Sequence, residues 1–194
     1  MAPLVFASSN KNKIKEIQLL LPRPIALLSL EDIGCHEDIA ETAPTIEGNA
    51  MLKADYVTKN YGYDCFADDS GLEVRSLNGA PGVISARYAG EHKEDQANMD
   101  KLLSELRDKP DRKAQFKTVI CLNLNGRQHL FTGIAEGKIA ENKMGNGGFG
   151  YDPIFIPDGF SESFAQLPLQ TKNEISHRGK AVRLLLEFLK EQHL

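Results

Sequence analysis

Between Gly145 and Pro153 the chain reads Gly-Asn-Gly-Gly-Phe-Gly-Tyr-Asp-Pro, and the residues just after this run constrain the fold more than the glycines themselves. Gly145, Gly147 and Gly150 have the spacing of a dinucleotide-binding loop, but such a loop must follow a strand and open a helix. Here Asp152-Pro153 comes next. Proline pushes the residue before it out of helical dihedrals, and the apolar triplet Ile154-Phe155-Ile156 has strand character. The loop therefore leads into a sheet, and the doubly wound dinucleotide reading is ruled out. Four glycines in six positions allow close backbone approach to a ligand. Phe149 among them offers a flat face able to stack on a ring such as a nucleobase. The same residues also describe a glycine-rich surface turn around one core phenylalanine.

A chain of 194 residues, 41% hydrophobic and 26% charged, has the composition of one globular domain covering residues 1–194. The apolar stretches Leu19 to Leu21 and Leu184 to Leu186 fall far short of the ~20 residues of a bilayer span, so no membrane segment is expected. Met1 to Ala7 lacks the positive region and apolar length of an export signal. Cys35, Cys65 and Cys121 are odd in number and widely spaced, without a C-x-x-C pair. This favours a reducing cytoplasm and packing roles over structural zinc. A net charge of -4 supplies no basic field for a nucleic-acid backbone, so any nucleotide partner should be small and held locally.

Leu4 to Ala7 reads as a strand, followed by polar Ser8-Ser9-Asn10 and a helix with Ile14, Ile17 and Leu21 on one face. Thr45 can cap a second helix whose Ile46, Ala50, Ala54 and Val57 recur at helical spacing, with Lys53 beside that stripe. A short strand from Tyr63 to Ala67 delivers the chain to Asp68-Asp69-Ser70-Gly71, and Leu72 to Leu77 continues extended. Gly79-Ala80-Pro81-Gly82 is a turn. Met99, Leu102, Leu103 and Leu106 mark a third helix ending near Pro110. Phe116 to Leu124 and Gln128 to Ile134 flank Asn125-Gly126, a strong hairpin signal. Ala181, Leu184, Leu185, Phe188 and Leu189 define an amphipathic C-terminal helix. The expected class is α/β, a mixed sheet with helices packed on it.

Asp68 and Asp69 after an apolar strand place acids where open α/β sheets bind ligands, and strand alternation lets at most one face a given pocket. An Asx turn is the other reading of Asp69. Glu37, Asp38 and Glu41 form an acidic cluster that could complete a metal shell with Asp69. The absence of histidines at ligand spacing favours a hard, oxygen-ligated cation, and magnesium with phosphate is the natural pairing. No Walker A sequence is present. Ser8-Ser9-Asn10-Lys11-Asn12-Lys13, at a helix N-terminus with two lysines, suits an anion or is an ordinary N-cap. Thr171 and Glu174 fit a capping box. Lys172, His177 and Arg178 would then be three donors grouped around a helix start. Ser70, Ser176 and His177 lack the G-x-S-x-G elbow of a serine hydrolase.

Taken together, Ser8-x-Asn10-x-x-Lys13, Ala67-Asp68-Asp69-Ser70-Gly71-Leu72, Gly79 to Gly82 with Ser85-Ala86-Arg87-Tyr88, Gly147 to Pro153 and Ser176-His177-Arg178 resemble the inosine triphosphate pyrophosphatase family. Their order and spacing are those of its bacterial non-canonical purine NTP branch, from about Val5 to the C-terminal helix. The resemblance implies an elongated mixed α/β fold of two lobes with an active cleft between them, usually homodimeric. It implies Mg²⁺-dependent hydrolysis of ITP, dITP, XTP and dXTP to the monophosphate and pyrophosphate. Asp69 matches the general base and a metal ligand, and Glu41 the second ligand, with Asp38 as its alternative. Ser8, Ser9, Asn10, Lys11, Asn12, Lys13 and Ser70 match phosphate-binding positions, and Lys53 a lysine near the phosphates. Phe149, Gly150, Tyr151, Asp152, Lys172, His177 and Arg178 match nucleoside-binding positions. Rival readings are a pyrophosphatase for other modified nucleotides, such as methylated pyrimidines, and a non-catalytic sensor of ITP or GTP.

Overall fold

The computed structural model describes residues 3–21 and 27–192. Met1 and Ala2, part of the reading of the N-terminus, lie outside them. Strand β1 (Leu4–Phe6) leads into helix α1 (Lys11–Leu20), and the two-residue strand β2 (Leu27–Leu28), which no sequence signal announced, pairs parallel with β1. Helix α2 (Ile46–Tyr61) starts as expected at Thr45, whose hydroxyl accepts from Gly48 N–H at 3.0 Å, and ends at Gly62 in the left-handed region (φ 73°). Strands β3 (Cys65–Val74) and β4 (Pro81–Gly82) pair antiparallel, so the Gly79 to Gly82 turn carries a short strand. Helix α3 (Asp95–Glu105) buries Met99 and Leu102. Strands β5 (Lys113–Leu124) and β6 (Arg127–Ile139) are the expected hairpin, longer at its base; Asn125 and Gly126 both take positive φ, as a type I′ turn demands. Strand β7 (Phe155–Pro157), helix α4 (Leu169–Ile175) and helix α5 (His177–Glu191) complete the chain.

The strands form a seven-stranded mixed sheet of order β2-β1-β3-β5-β6-β7, with β4 also on β3. The fold class is therefore α/β, as expected. No helix among the described residues is long and apolar enough to cross a membrane.

By compactness the chain divides into two units. The first comprises 1–69, 118–133 and 178–194, and the second 70–117 and 134–177. The core of the first gathers Phe6, Ile17, Phe66, Ile120, Leu122, Ala181 and Leu185, with Phe6 and Phe66 stacked at 4.8 Å. That of the second gathers Leu72, Met99, Leu102, Phe116, Ile139, Phe155 and Phe164. Each buried large side chain contributes roughly 1.5–3 kcal/mol.

Four readings are corrected. The strand expected to stop at Ala67 runs unbroken through Asp68-Asp69 to Val74. Ladder partners on both sides hold β3 extended, and cations offset the acids that made the sequence look like a strand end. Thr171 is no cap: α4 begins at Leu169 after Pro168, whose fixed φ suits a helix entry, and Lys172 lies in its last turn. A break at Ser176 separates α4 from α5, so Lys172 and the pair His177-Arg178 belong to two helices. In α5 the stripe is rotated: Val182 is fully buried while Leu184 is 43% exposed.

Candidate active site

In the first unit, β1 hands the chain to a polar loop that caps α1. Asn10 Oδ1 accepts from the N–H groups of Asn12 and Lys13 at 3.0 and 3.2 Å, and Ser8 Oγ accepts from Asn10 N–H at 3.2 Å. Ser9, Asn10, Lys11 and Asn12 are exposed, whereas Ser8 and Lys13 are half-buried. The segment is a formed N-cap carrying two lysines, which is the N-cap reading of the sequence. Lys13 Nζ reaches inward to Asp68 Oδ2 at 3.1 Å.

The pleat of β3 sends its two acids to different helices. Asp68, wholly buried, meets Lys13 of α1 and Arg178 Nε of α5 at 3.3 Å; Arg178 also donates to buried Glu16. Asp69, 6% exposed, meets α2: Asn49 Nδ2 donates to its Oδ2 at 3.3 Å, and Lys53 Nζ lies 3.8 Å from its Oδ1. The same Lys53 ammonium is 2.6 Å from Glu41 Oε1. Glu37 instead accepts from Tyr61 Oη, and Asp38 is exposed, so Glu41 is the acid that shares a cation with Asp69.

These surroundings separate the two carboxyls. Burial alone would raise Asp68, but Lys13, Arg178 and Lys53 outweigh it and hold its pKa far below the usual carboxylate range. For Asp69 burial dominates, with Glu41 and Asp68 adding to it against Lys53 and Lys13, and its pKa is raised. Burial works to lower Lys53, yet Asp69, Asp68 and Glu41 win and its pKa is raised; at Lys13 burial wins and the pKa falls. A buried carboxyl with a raised pKa and two lysines around it marks a candidate functional site.

In the second unit the glycine run is tied down at its C-terminal end. Asp152 Oδ2 accepts from Phe149 N–H at 2.9 Å and from Lys172 Nζ at 2.6 Å, both partners of that ion pair being almost fully buried. Gly148 makes this possible: at φ +70° a Cβ there would sit 2.0 Å from Asp152 Oδ2. Gly150 N–H donates to Asp95 Oδ2 at 2.7 Å. Lys172 Nζ also lies 5.1 Å from the ring centre of Phe149, which is half-buried. Tyr151 is a core residue whose hydroxyl donates to Ser85 O at 2.7 Å. His177 is buried and stacked on Phe116 at 4.5 Å. Ser70 follows Asp69 in β3 and is half-buried.

Glu16 and Asn49 were missed. Glu16 lacked any local signal, because its partner Arg178 is 162 residues away. Asn49 did have one: it occupies the i+3 place of the α2 stripe, where an apolar residue would otherwise stand.

A metal ion fits this donor set. Glu41 and Asp69 are two hard carboxylates sharing one ammonium, and the described residues bring no group of three or more His, Cys, Asp or Glu together as a ready-made metal cage. Two carboxylates completed by phosphate oxygens and water is the coordination habit of magnesium.

Comparison with known proteins shows the family of the chain. The model of the Ham1 family matches residues 4–188. The chain is 70% identical over 187 residues to a dITP/XTP pyrophosphatase of Flavobacterium psychrophilum, covering 96% of this chain and 98% of the relative. It is 66% identical to the protein of the same name from Flavobacterium johnsoniae, covering 96% and 97% of the two chains. Among solved structures, the Ham1 protein of Staphylococcus aureus superposes with a TM-score of 0.90 at 41% identity, over 98% of this chain and 99% of that one. A HAM1 protein from Coxiella burnetii does so with 0.91 at 41% identity, over 98% and 100%. A family model spanning nearly the whole length and relatives matched end to end lead to one conclusion: this chain belongs to the Ham1 family.

Proposed function

We propose that this protein hydrolyses deaminated purine nucleoside triphosphates, ITP, dITP, XTP and dXTP, between the α- and β-phosphates, clearing them from the nucleotide pool. The observation that carries this reading is the Asp69 carboxyl, raised in pKa and flanked by Lys53 and Glu41. The names of the 70% and 66% identical relatives support it.

In this reading Asp69 takes a proton from the water that attacks the α-phosphorus, the bond to the bridging oxygen breaks, and pyrophosphate leaves. Lys13, Lys11 and the capped turn from Ser8 to Lys13, with Ser70, bind phosphate oxygens. Magnesium held by Glu41 and Asp69 would neutralise charge on the phosphates. Lys53 keeps the paired acids from repelling one another before the metal is bound, and is then released toward the phosphates. Phe149 stacks on the base, and Lys172, a donor without acceptor capacity, meets the 6-oxo group of hypoxanthine or xanthine. The 6-amino group of adenine would face that donor with another donor, at a cost of ~1–3 kcal/mol. Asp152 and His177 order Lys172 and the surrounding rings, and Arg178 orders Asp68.

We further infer that residues 1–194 act as one functional domain, in the cytoplasm, as a homodimer, and without nucleic-acid binding. The net charge of -4 supports the absence of nucleic-acid binding and the three unpaired cysteines support the cytoplasm, while the single domain and the homodimer rest on the family resemblance.

The test is pyrophosphate release from ITP, XTP, GTP and ATP with and without Mg²⁺. Metal-dependent release from ITP and XTP in preference to ATP and GTP is expected. Tight ITP binding with no release would point to a sensor, and preference for methylated pyrimidine triphosphates would point to the neighbouring pyrophosphatase class.

A further inference from the structure

Asn49 stands where α2 meets both the loop bearing Glu41 and the acid on β3. It is 1% exposed. Its Oδ1 accepts from the backbone N–H of Ala43 at 2.9 Å, two residues beyond Glu41, and its Nδ2 donates to Asp69 Oδ2 at 3.3 Å. The orientation of the amide is chemically forced. A backbone N–H can only donate, so the oxygen must face Ala43 and the NH₂ group must face Asp69. The loop is also packed tightly here, for a Cβ on Gly48 would meet Ala43 Cβ at 2.7 Å. One turn further along the helix, Lys53 holds Glu41 itself.

We propose that Asn49 is a positioning residue for the reaction: one amide, fixed by Ala43, sets both the rotamer of the Asp69 carboxylate and the place of the Glu41 segment. The proposal rests on the reading of Asp69 as the base. Asn49 donates to Oδ2 of Asp69 while Oδ1 is turned to Lys53 at 3.8 Å, so the amide fixes which oxygen is presented to the Lys53 side, where the attacking water would bind. An aliphatic residue of similar size would satisfy the packing of α2 and neither hydrogen bond.

Two substitutions separate the halves of the amide. Asn49→Asp keeps an acceptor for Ala43 N–H and loses the donor to Asp69; Asn49→Leu loses both. Amide hydrogen exchange at Ala43 in the protein without nucleotide or metal reads the loop contact, and steady-state pyrophosphate release from ITP reads the other. Exchange protection at Ala43 is expected to survive in Asn49→Asp and to be lost in Asn49→Leu, with melting curves remaining cooperative. In both, kcat is expected to fall about 10- to 100-fold, the size typical of a group that orients a ligating residue, while KM for ITP changes less. Undiminished kcat in Asn49→Asp, or unchanged Ala43 protection in Asn49→Leu, would overturn the proposal. Should the unmodified protein release no pyrophosphate from any purine triphosphate, the functional reading would fall, while the exchange measurement would still decide whether Asn49 holds the loop.

Discussion

In the first unit seven ionisable side chains, Lys13, Lys53, Arg178, Glu16, Glu41, Asp68 and Asp69, interlock over a few ångströms. In the second, the buried Lys172–Asp152 pair lies against the rings of Phe149 and Phe164. The first arrangement leaves four carboxylates facing three cations, a surplus of negative charge that suits a region built to accept a metal ion along with phosphates. The second is charge-balanced and flanked by flat apolar surface, which suits an uncharged aromatic base. Under the proposed function, this difference in charge density would divide the labour between reaction and recognition.

The most severe break should come from Asp69→Asn, which keeps shape and removes the base. Pyrophosphate release from ITP is expected to fall roughly 100- to 10,000-fold with melting behaviour unchanged. Asp68→Ala attacks stability instead. It leaves Lys13 and Arg178 buried without their shared partner, and equilibrium denaturation is expected to show a loss of about 3–5 kcal/mol. The sign with pH comes from the depressed pKa of Asp68 in the folded protein. Its contribution is full above the unfolded carboxyl value near ~4 and is lost as pH falls below that. Asp68→Asn should therefore flatten the acid side of the stability profile.

Smaller effects are expected in the second unit. Lys172→Gln should narrow the preference for ITP over ATP in kcat/KM by about 5- to 150-fold, the equivalent of one misdirected donor. Phe149→Ala should raise KM for ITP by roughly 2- to 10-fold through lost stacking while leaving the Mg²⁺ dependence in place. If Phe149→Ala altered the metal dependence, or Asp69→Asn altered only purine preference, the division between the units would not hold.

Much of this was legible in sequence because it was local. The Asn125-Gly126 hairpin, the Thr45 cap and the α2 stripe each depend on residues a few positions apart, and each formed as expected. What escaped depends on partners far along the chain. Asp68-Asp69 looked like a strand end because two adjacent acids are implausible within a buried strand until Lys13, Lys53 and Arg178 are known to surround them. Lys172 and Arg178 looked alike, two cations near a helix start, yet one pairs with Asp152 and the other with Glu16 and Asp68. The bond from the Tyr151 hydroxyl to Ser85 O likewise spans 66 residues and left no local signal.

The unbroken run of β3 also makes its register a chemical address. Neighbouring residues of a strand point to opposite faces, so a slip of a single position would bring Asp69 to the place where Asp68 meets Lys13 and Arg178, and would carry Asp68 back to the place of Ala67. Composition, net charge and hydrogen-bonded length would be almost unchanged, but the acid proposed as the proton acceptor would have been moved into an ion-paired strut. One inserted or deleted residue between Cys65 and Asp68 should for that reason be far more damaging than many substitutions along the same strand.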